Sequence, residues 1–269
     1  MKNLQQVIAI VLGAGHGTRM NSTLPKVAHI LAGKPLVVWV LESLVRAHIT
    51  NIVLVVSPRH QTQLNNIVQN AHLGTQVCVH FAYQDTPLGT GHAVQCGIQE
   101  AEKFFKIIGC PQNLGTRNED THVLVAYGDT PSVHPDTFEN CLQFHTKNKN
   151  DVTVIAFEAR NPFGYGRILT DNQGEFFAIR EEKDCSEQEQ KIRLCNSGFL
   201  CARFEILQKV LPLLQNENSS KEYYLTDVPF IAKKFGYKVS VMVGANEDEF
   251  LGVNSQVQLH ELENKMKKG

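Results

Sequence analysis

The sequence predicts an α/β protein built on a doubly wound mixed sheet, and three observations carry that prediction. Residues 7–12 are an unbroken apolar run that stops at Gly13, the pattern of a strand buried on both faces of a sheet. Runs at 52–56, 122–126 and 152–157 repeat it. Helical stretches, roughly 35–47, 60–70, 91–105 and 135–145, fall between these runs, and such alternation predicts right-handed βαβ crossovers.

From Gly164 onward the pattern changes. Residues 166–169 and 175–179 flank Asp171-Asn172-Gln173-Gly174, which predicts a hairpin lying over the sheet. A charged excursion at 181–191 follows, and 194–202 returns as an apolar strand. The expected organisation is a single domain over 1–269 with a small β-rich lobe at about 160–225. Residues 106–120, with Gly109, Pro111 and Gly115, read as a surface excursion. Residues 239–243 read as a last strand. The end, 255–269, reads as a polar helix and frayed tail with Val257, Leu259 and Leu262 loosely on one side.

Composition narrows the function classes. With 26 basic and 27 acidic side chains the formal net charge is -1, which points to neither a nucleic-acid nor a membrane surface. The apolar opening run is too short to span a bilayer and lacks a signal-peptide cleavage pattern. Seven cysteines form no CxxC pair and are odd in number, so a reduced, cytoplasmic setting is expected, with Cys195 a small core residue.

The chemistry is concentrated where strands end. Leu12-Gly13-Ala14-Gly15-His16-Gly17-Thr18-Arg19-Met20 follows the first strand, with Leu24-Pro25-Lys26 just beyond. Such a loop either turns tightly into a helix or presents backbone N–H groups to phosphate, since no Cβ blocks close approach. Arg19 can fork onto phosphate and Lys26 can bring a point charge to the same anion. The glycine spacing matches neither the dinucleotide fingerprint nor the P-loop, which disfavours a nicotinamide enzyme or Walker ATPase. Leu88-Gly89-Thr90-Gly91 precedes a helix and serves either as a capping turn or as a source of donors for a base or ribose. Asp129 follows the strand at 122–126, at the edge where open α/β sheets place ligands; it is a turn cap or a metal ligand. On residue type alone Asn254 is an N-cap of the terminal helix and Glu181 a solvated surface acid.

These blocks and several others resemble the uridylyltransferase domain of the bacterial bifunctional N-acetylglucosamine-1-phosphate uridylyltransferase/glucosamine-1-phosphate acetyltransferases, of the sugar nucleotidyltransferase family. The resemblance is carried by the loop 12–26, Leu31-Ala32-Gly33-Lys34-Pro35, Leu88-Gly89-Thr90-Gly91-His92-Ala93, Tyr127-Gly128-Asp129-Thr130-Pro131 and Gly164-Tyr165-Gly166-Arg167-Ile168. It continues through Glu181-Glu182-Lys183-Asp184, Asn196-Ser197-Gly198, Tyr223-Tyr224-Leu225-Thr226-Asp227 and Gly252-Val253-Asn254, in order from residue 7 to about 262.

The resemblance implies a Rossmann-like nucleotide-diphospho-sugar transferase fold and an attack by a sugar-1-phosphate oxygen on the α-phosphorus of UTP, with pyrophosphate leaving. It places Arg19 and Lys26 in catalysis, and Leu12, Gly13, Ala14, Gly15, Gly17, Gln84, Gly89 and Thr90 at the nucleotide. It assigns Gly128, Gly166, Glu181, Asn196, Tyr223 and Thr226 to the sugar, and gives Mg²⁺ Asp129 and Asn254 as ligands. UTP and sugar-1-phosphate are the partners it implies, with no partner protein and at most a weak homo-oligomer.

The chain departs from that family at three points. Pro87 stands where a Gln usually precedes Leu-Gly-Thr-Gly, which leaves Gln84 as the base contact. Leu194-Cys195-Asn196-Ser197-Gly198 replaces Glu-Ile-Asn-Thr-Gly, keeping Asn196 but losing the acid. No hexapeptide repeat is present, so the left-handed β-helix acetyltransferase domain and its trimer are not expected. The rival expectations are a transferase for another nucleotide or hexose phosphate, and a nucleotide-sugar-binding protein of weak activity.

Overall fold

A computed structural model of the chain describes residues 6–15, 20, 22–107, 121–244 and 246–267. Most of the excursion expected at 106–120, together with Cys110, lies outside them. The strands are β1 (Gln6–Leu12), β2 (Ile30–Leu31), β3 (Lys34–Pro35), β4 (Asn51–Val56), β5 (Cys78–Tyr83), β6 (Thr121–Tyr127), β7 (Val152–Glu158), β8 (Arg167–Thr170), β9 (Phe176–Arg180), β10 (Leu194–Arg203) and β11 (Val239–Val243). The helices are α1 (Leu36–Arg46), α2 (Gln61–Asn70), α3 (Thr90–Ile107), α4 (Pro135–Lys147), α5 (Phe204–Val210), α6 (Val228–Lys234) and α7 (Gln256–Met266).

The main sheet runs β11-β7-β10-β6-β1-β4-β5, with the expected hairpin β8–β9 attached through β10. β6, β1, β4 and β5 are mutually parallel, as are β7 and β11, while β10 runs antiparallel between β6 and β7. The mixed α/β sheet predicted from the sequence is thus what forms. β1 is apolar throughout because successive side chains point to opposite faces and both faces are covered. Ala9 and Val11 pack with Leu41 of α1 and Phe138 of α4, whereas Ile8 and Ile10 pack with Val94 and Ile98 of α3 and with Phe204 of α5.

β5, α5 and α6 were not anticipated. β5 is an edge strand whose only fully buried residue is Ala82, so Cys78 and His80 interrupt the apolar run that marks a central strand. α5 and α6 have seven residues each, too few to establish a helical period. In α7 the expected apolar side is narrower than the sequence suggested. Leu259 and Leu262 are buried against Met20 and Leu36, but Val257 is 66% exposed. Cys195 is buried, and burial raises its thiol to about 11. Among the described residues no helix is long and apolar enough to cross a membrane.

One polar cluster inside this fold makes stability depend on pH. His145 is fully buried; its Nδ1 lies 2.8 Å from Thr153 Oγ1, and its ring meets His122 edge-on at 5.0 Å. Burial first, then the neighbouring His122, lowers its pKa from the ordinary 6.5 to about 3, although Asp151 pulls the other way. Between those two values the unfolded chain takes up a proton that the folded chain refuses, so stability falls as pH drops below 6.5. At pH 5 the loss is about 2 kcal/mol. Thermal melts at pH 7 and pH 5 check this, and His145→Gln should flatten that part of the profile.

Candidate active site

The carboxyl ends of β1, β4 and β6 lie level, since Leu12 pairs with Val55 on one side and Tyr127 on the other. Chain leaving those ends cannot continue the ladder, and it opens a cleft of about 640 Å³ there. Leu12, Gly13, Ala14, Gly15, Lys26, Gln84, Gly89, Thr90, Asp129 and Asn254, all anticipated from the sequence, line it. Gly17 and Arg19 lie outside the described residues.

The opening loop divides its labour. The Gly13 amide donates to Val55 O at 2.8 Å, and a Cβ at Gly13 would stand 3.2 Å from that oxygen, so this glycine serves the turn and has no N–H left for an anion. The next two residues differ: among the described residues the Ala14 and Gly15 amides have no hydrogen-bond partner, and both residues line the cleft. Among the described residues no atom lies within 4 Å of a Cβ placed at Gly15. Two successive donors without a partner among the described residues suit a phosphate oxygen.

Charge converges opposite this loop. The Lys26 ammonium forms an ion pair with Asp129 Oδ2 and donates to Asn254 Oδ1 at 2.8 Å, joining residues 228 positions apart. Asp129 follows β6, and its carbonyl accepts from Val253 N at 2.9 Å, which ties the segment carrying Asn254 to the sheet edge. Gln258 Oε1 accepts from Asn254 N at 2.7 Å and fixes that residue from α7. The N-cap of α7 is Ser255, whose Oγ accepts from Gln258 N, so the capping role that residue type suggests for Asn254 belongs to its neighbour. Asp129 is likewise no simple turn cap, since its carboxylate pairs with Lys26. Two hard oxygens directed at one cation match the donor set Mg²⁺ takes, with its remaining positions left to water and phosphate. Among the described residues no three or more His, Cys, Asp and Glu side chains group as a metal cage, so protein ligation would rest on these two.

The second loop is held from the opposite wall. Tyr223 N donates to Leu88 O at 2.8 Å, Gly91 N donates to Tyr223 O at 2.7 Å, and Leu225 N donates to Thr90 Oγ1 at 3.1 Å. Gly89 has φ +111, and a Cβ there would lie 2.6 Å from Tyr223 O. Gly89→Ala should therefore cost about 2 kcal/mol or more, read as a lower urea midpoint at unchanged slope.

The residues anticipated for a sugar stand off the cleft lining, and all but Gly128 fall on this wall or on the β8–β10 segments. Asn196 N donates to Gly166 O at 2.8 Å, which joins β10 to the start of β8. Glu181 Oε1 accepts from the Thr226 hydroxyl at 2.9 Å, and burial raises its carboxyl above the ordinary range, so it is not a solvated surface acid. Glu181 also borders a second hollow of about 620 Å³ between β9 and α6. Gly128 is taken up in packing, where a Cβ would meet Leu12 O and Val27 at 3.1 Å.

Tyr127 was not singled out from the sequence, though it directly precedes Gly128-Asp129. It lines the cleft, and burial, with the Glu181 and Asp129 carboxylates, pushes its phenol well above the ordinary value. Its phenol thus lies within electrostatic reach of both Glu181 and Asp129. Phe163, Tyr165, Glu222 and Phe250 also line the cleft. Of these only Tyr165 belongs to a block that carries the resemblance.

Residues 9–182 match the family model described as MobA-like NTP transferase domain. The bifunctional protein GlmU of Caldanaerobacter subterraneus subsp. tengcongensis is 37% identical over 265 residues, which is 98% of this chain and 52% of that protein. The bifunctional protein GlmU of Clostridium botulinum is 39% identical over 260 residues, 97% of this chain and 52% of that protein. That of Clostridium tetani is 37% identical over 261 residues, with the same two shares. The chain thus spans about half the length of the curated relatives it matches. With the family model covering well over half the chain, on a fold with its cleft at the strand ends, the chain belongs to the MobA-like NTP transferase domain family, among its sugar nucleotidyltransferases.

Proposed function

We propose that the chain is a uridylyltransferase that joins UTP to N-acetyl-α-D-glucosamine 1-phosphate, giving UDP-N-acetylglucosamine and pyrophosphate. The observation that carries this reading is the meeting of Lys26 with Asp129 and Asn254 in the cleft that Ala14 and Gly15 also line. A module that only bound a nucleotide sugar need not keep a cation together with two cation-directed oxygens.

The sugar phosphate is already ionised, so no general base is required. The protein's task is to align the attacking oxygen with the α-phosphorus and to neutralise charge as it moves toward the leaving pyrophosphate. The Ala14 and Gly15 amides and the Lys26 ammonium hold the triphosphate, and Arg19 joins them from the same loop. Asp129 and Asn254 would hold Mg²⁺, which would supply charge neutralisation for the phosphates when bound. Lys26 then exchanges part of its contact with Asp129 for contact with phosphate. The sugar lies below the β8–β9 hairpin, toward Gly166, Glu181, Asn196, Tyr223 and Thr226, with Tyr127 between the two halves.

Magnesium-dependent pyrophosphate release tests this reading, with UTP, dTTP, CTP, ATP and GTP assayed against glucosamine-, N-acetylglucosamine-, glucose- and galactose-1-phosphates. The expected result is highest kcat/KM for UTP with N-acetylglucosamine 1-phosphate. A different preferred pair would reassign the substrates and retain the reaction. Nucleotide-sugar binding with no release from any pair would remove the enzymatic reading.

A further inference from the structure

Gln84 follows the edge strand β5, is buried and lines the cleft. Its Nε2 donates to Gly89 O at 3.0 Å, and His92 Nδ1 lies 3.1 Å from the same nitrogen. A backbone carbonyl can only accept, so the amide nitrogen must be the atom that faces Gly89. That decides which way round the Gln84 amide sits. It decides the histidine as well: Nδ1 meets a donor, acts as acceptor, and leaves the ring proton on Nε2, 3.9 Å from Cys96 Sγ.

Both amide protons of Gln84 are therefore committed within the protein. Its Oε1 is the one hydrogen-bonding atom left for a molecule in the cleft, and it accepts without donating. The three partners are held by different elements, Gln84 by its N–H bond to Val56 O at 2.9 Å, Gly89 by the loop pinned to Tyr223, and His92 by the first turn of α3. A planar base that meets this oxygen must offer an N–H, and where the contact falls on ring position 3 the two pyrimidines differ, since cytosine's donor is its exocyclic amine. Uracil has an N–H at N3; cytosine presents a lone pair at the same position.

Resting on the reading that a nucleoside triphosphate occupies the cleft with its base toward Gln84, we propose that His92 is a positioning residue that locks the Gln84 amide in the orientation selecting uridine over cytidine nucleotides. Without an acceptor at Nδ1 the amide loses half of what holds its orientation. Turning its nitrogen toward a cytosine lone pair then forfeits only the bond to Gly89 O instead of both bonds. His92 itself touches no substrate, and its effect passes through Gln84.

The test is the ratio of kcat/KM for UTP to that for CTP, at fixed sugar phosphate, in His92→Phe, His92→Ala and His92→Asn, each first checked for native circular dichroism. His92→Phe keeps ring volume but has no acceptor, and together with His92→Ala it should lower the ratio by about tenfold or more. His92→Asn carries an amide oxygen near the former Nδ1 and should restore most of it. A merely structural role for His92 would lower both activities together and leave the ratio alone. A ratio within twofold of the parent protein in His92→Phe and His92→Ala, while Gln84→Ala abolishes discrimination, overturns the His92 assignment alone. Equal use of UTP and CTP by the parent protein, or a Gln84→Ala ratio equal to the parent's, shows that the base does not meet Gln84 and overturns the cleft reading together with the proposal.

Discussion

Lys26→Ala should lower kcat for pyrophosphate release by about 10²-fold or more, because it deletes a preorganised positive charge at the place where negative charge moves during transfer. The ammonium is already in position before any ligand arrives, held by Asp129 and Asn254, so little reorganisation is needed when the triphosphate binds. Removing it also leaves the mostly buried Asp129 carboxylate without its cation, so the variant should melt earlier than the parent in EDTA. Added Mg²⁺ should recover much of that lost melting temperature without restoring turnover, since a divalent ion can satisfy the two oxygens but cannot do the lysine's work at the phosphates. Lys26→Arg should rescue poorly: its planar fork cannot place a single point charge between a carboxylate and an amide oxygen. Turnover within threefold of the parent in Lys26→Ala would take this residue out of the reaction.

Asp129→Asn should act through a different quantity. The substitution keeps shape and one acceptor oxygen while removing the only formal negative charge of the Asp129–Asn254 pair. The Mg²⁺ concentration for half-maximal activity should rise by about tenfold or more, and kcat at saturating Mg²⁺ should fall on the order of 10²-fold. Asn254→Ala should move the Mg²⁺ requirement in the same direction by less, since a neutral carbonyl binds the ion more weakly than a carboxylate. Titration of pyrophosphate release against Mg²⁺ separates these effects from a fold defect. An unchanged Mg²⁺ dependence in Asp129→Asn would exclude the carboxylate as an ion ligand.

The parallel core of the fold was legible in the sequence because complete burial on both faces leaves an unmistakable apolar run, as in β1, β4, β6 and β7. The edge was not. β5 needs only a partial apolar face, and its pairing with β4 depends on a neighbour that the local sequence does not describe. The same reasoning covers α5 and α6, which are short because they are held by packing on the sheet rather than by their own period. Val257 was misplaced because a loosely apolar stretch fits more than one helix face, and only contact with Met20 and Leu36 decides which face turns inward.

Among the candidate site residues, the position of the glycine loop, Lys26 and Asp129 at strand ends was readable from the sequence, while the roles proposed for them come from the family resemblance. Which glycine amide remains available was not readable, since Gly13 gives its N–H to β4 and the donors belong to Ala14 and Gly15. Asn254 read as a cap because Asn and Ser are nearly equivalent in that role, and Ser255 takes it.

By itself, then, the sequence determined the fold class, the edge of the sheet at which the cleft opens, and the kinds of charge found there. Those follow from solvent exclusion and strand periodicity, which are local and repeat along the chain. Only the tertiary structure decided that Lys26 meets Asp129 and Asn254, and which way round Gln84 lies between Gly89 and His92. Ion pairs and hydrogen bonds act over a few ångströms between segments far apart in the chain, and nothing in either segment alone records the distance between them.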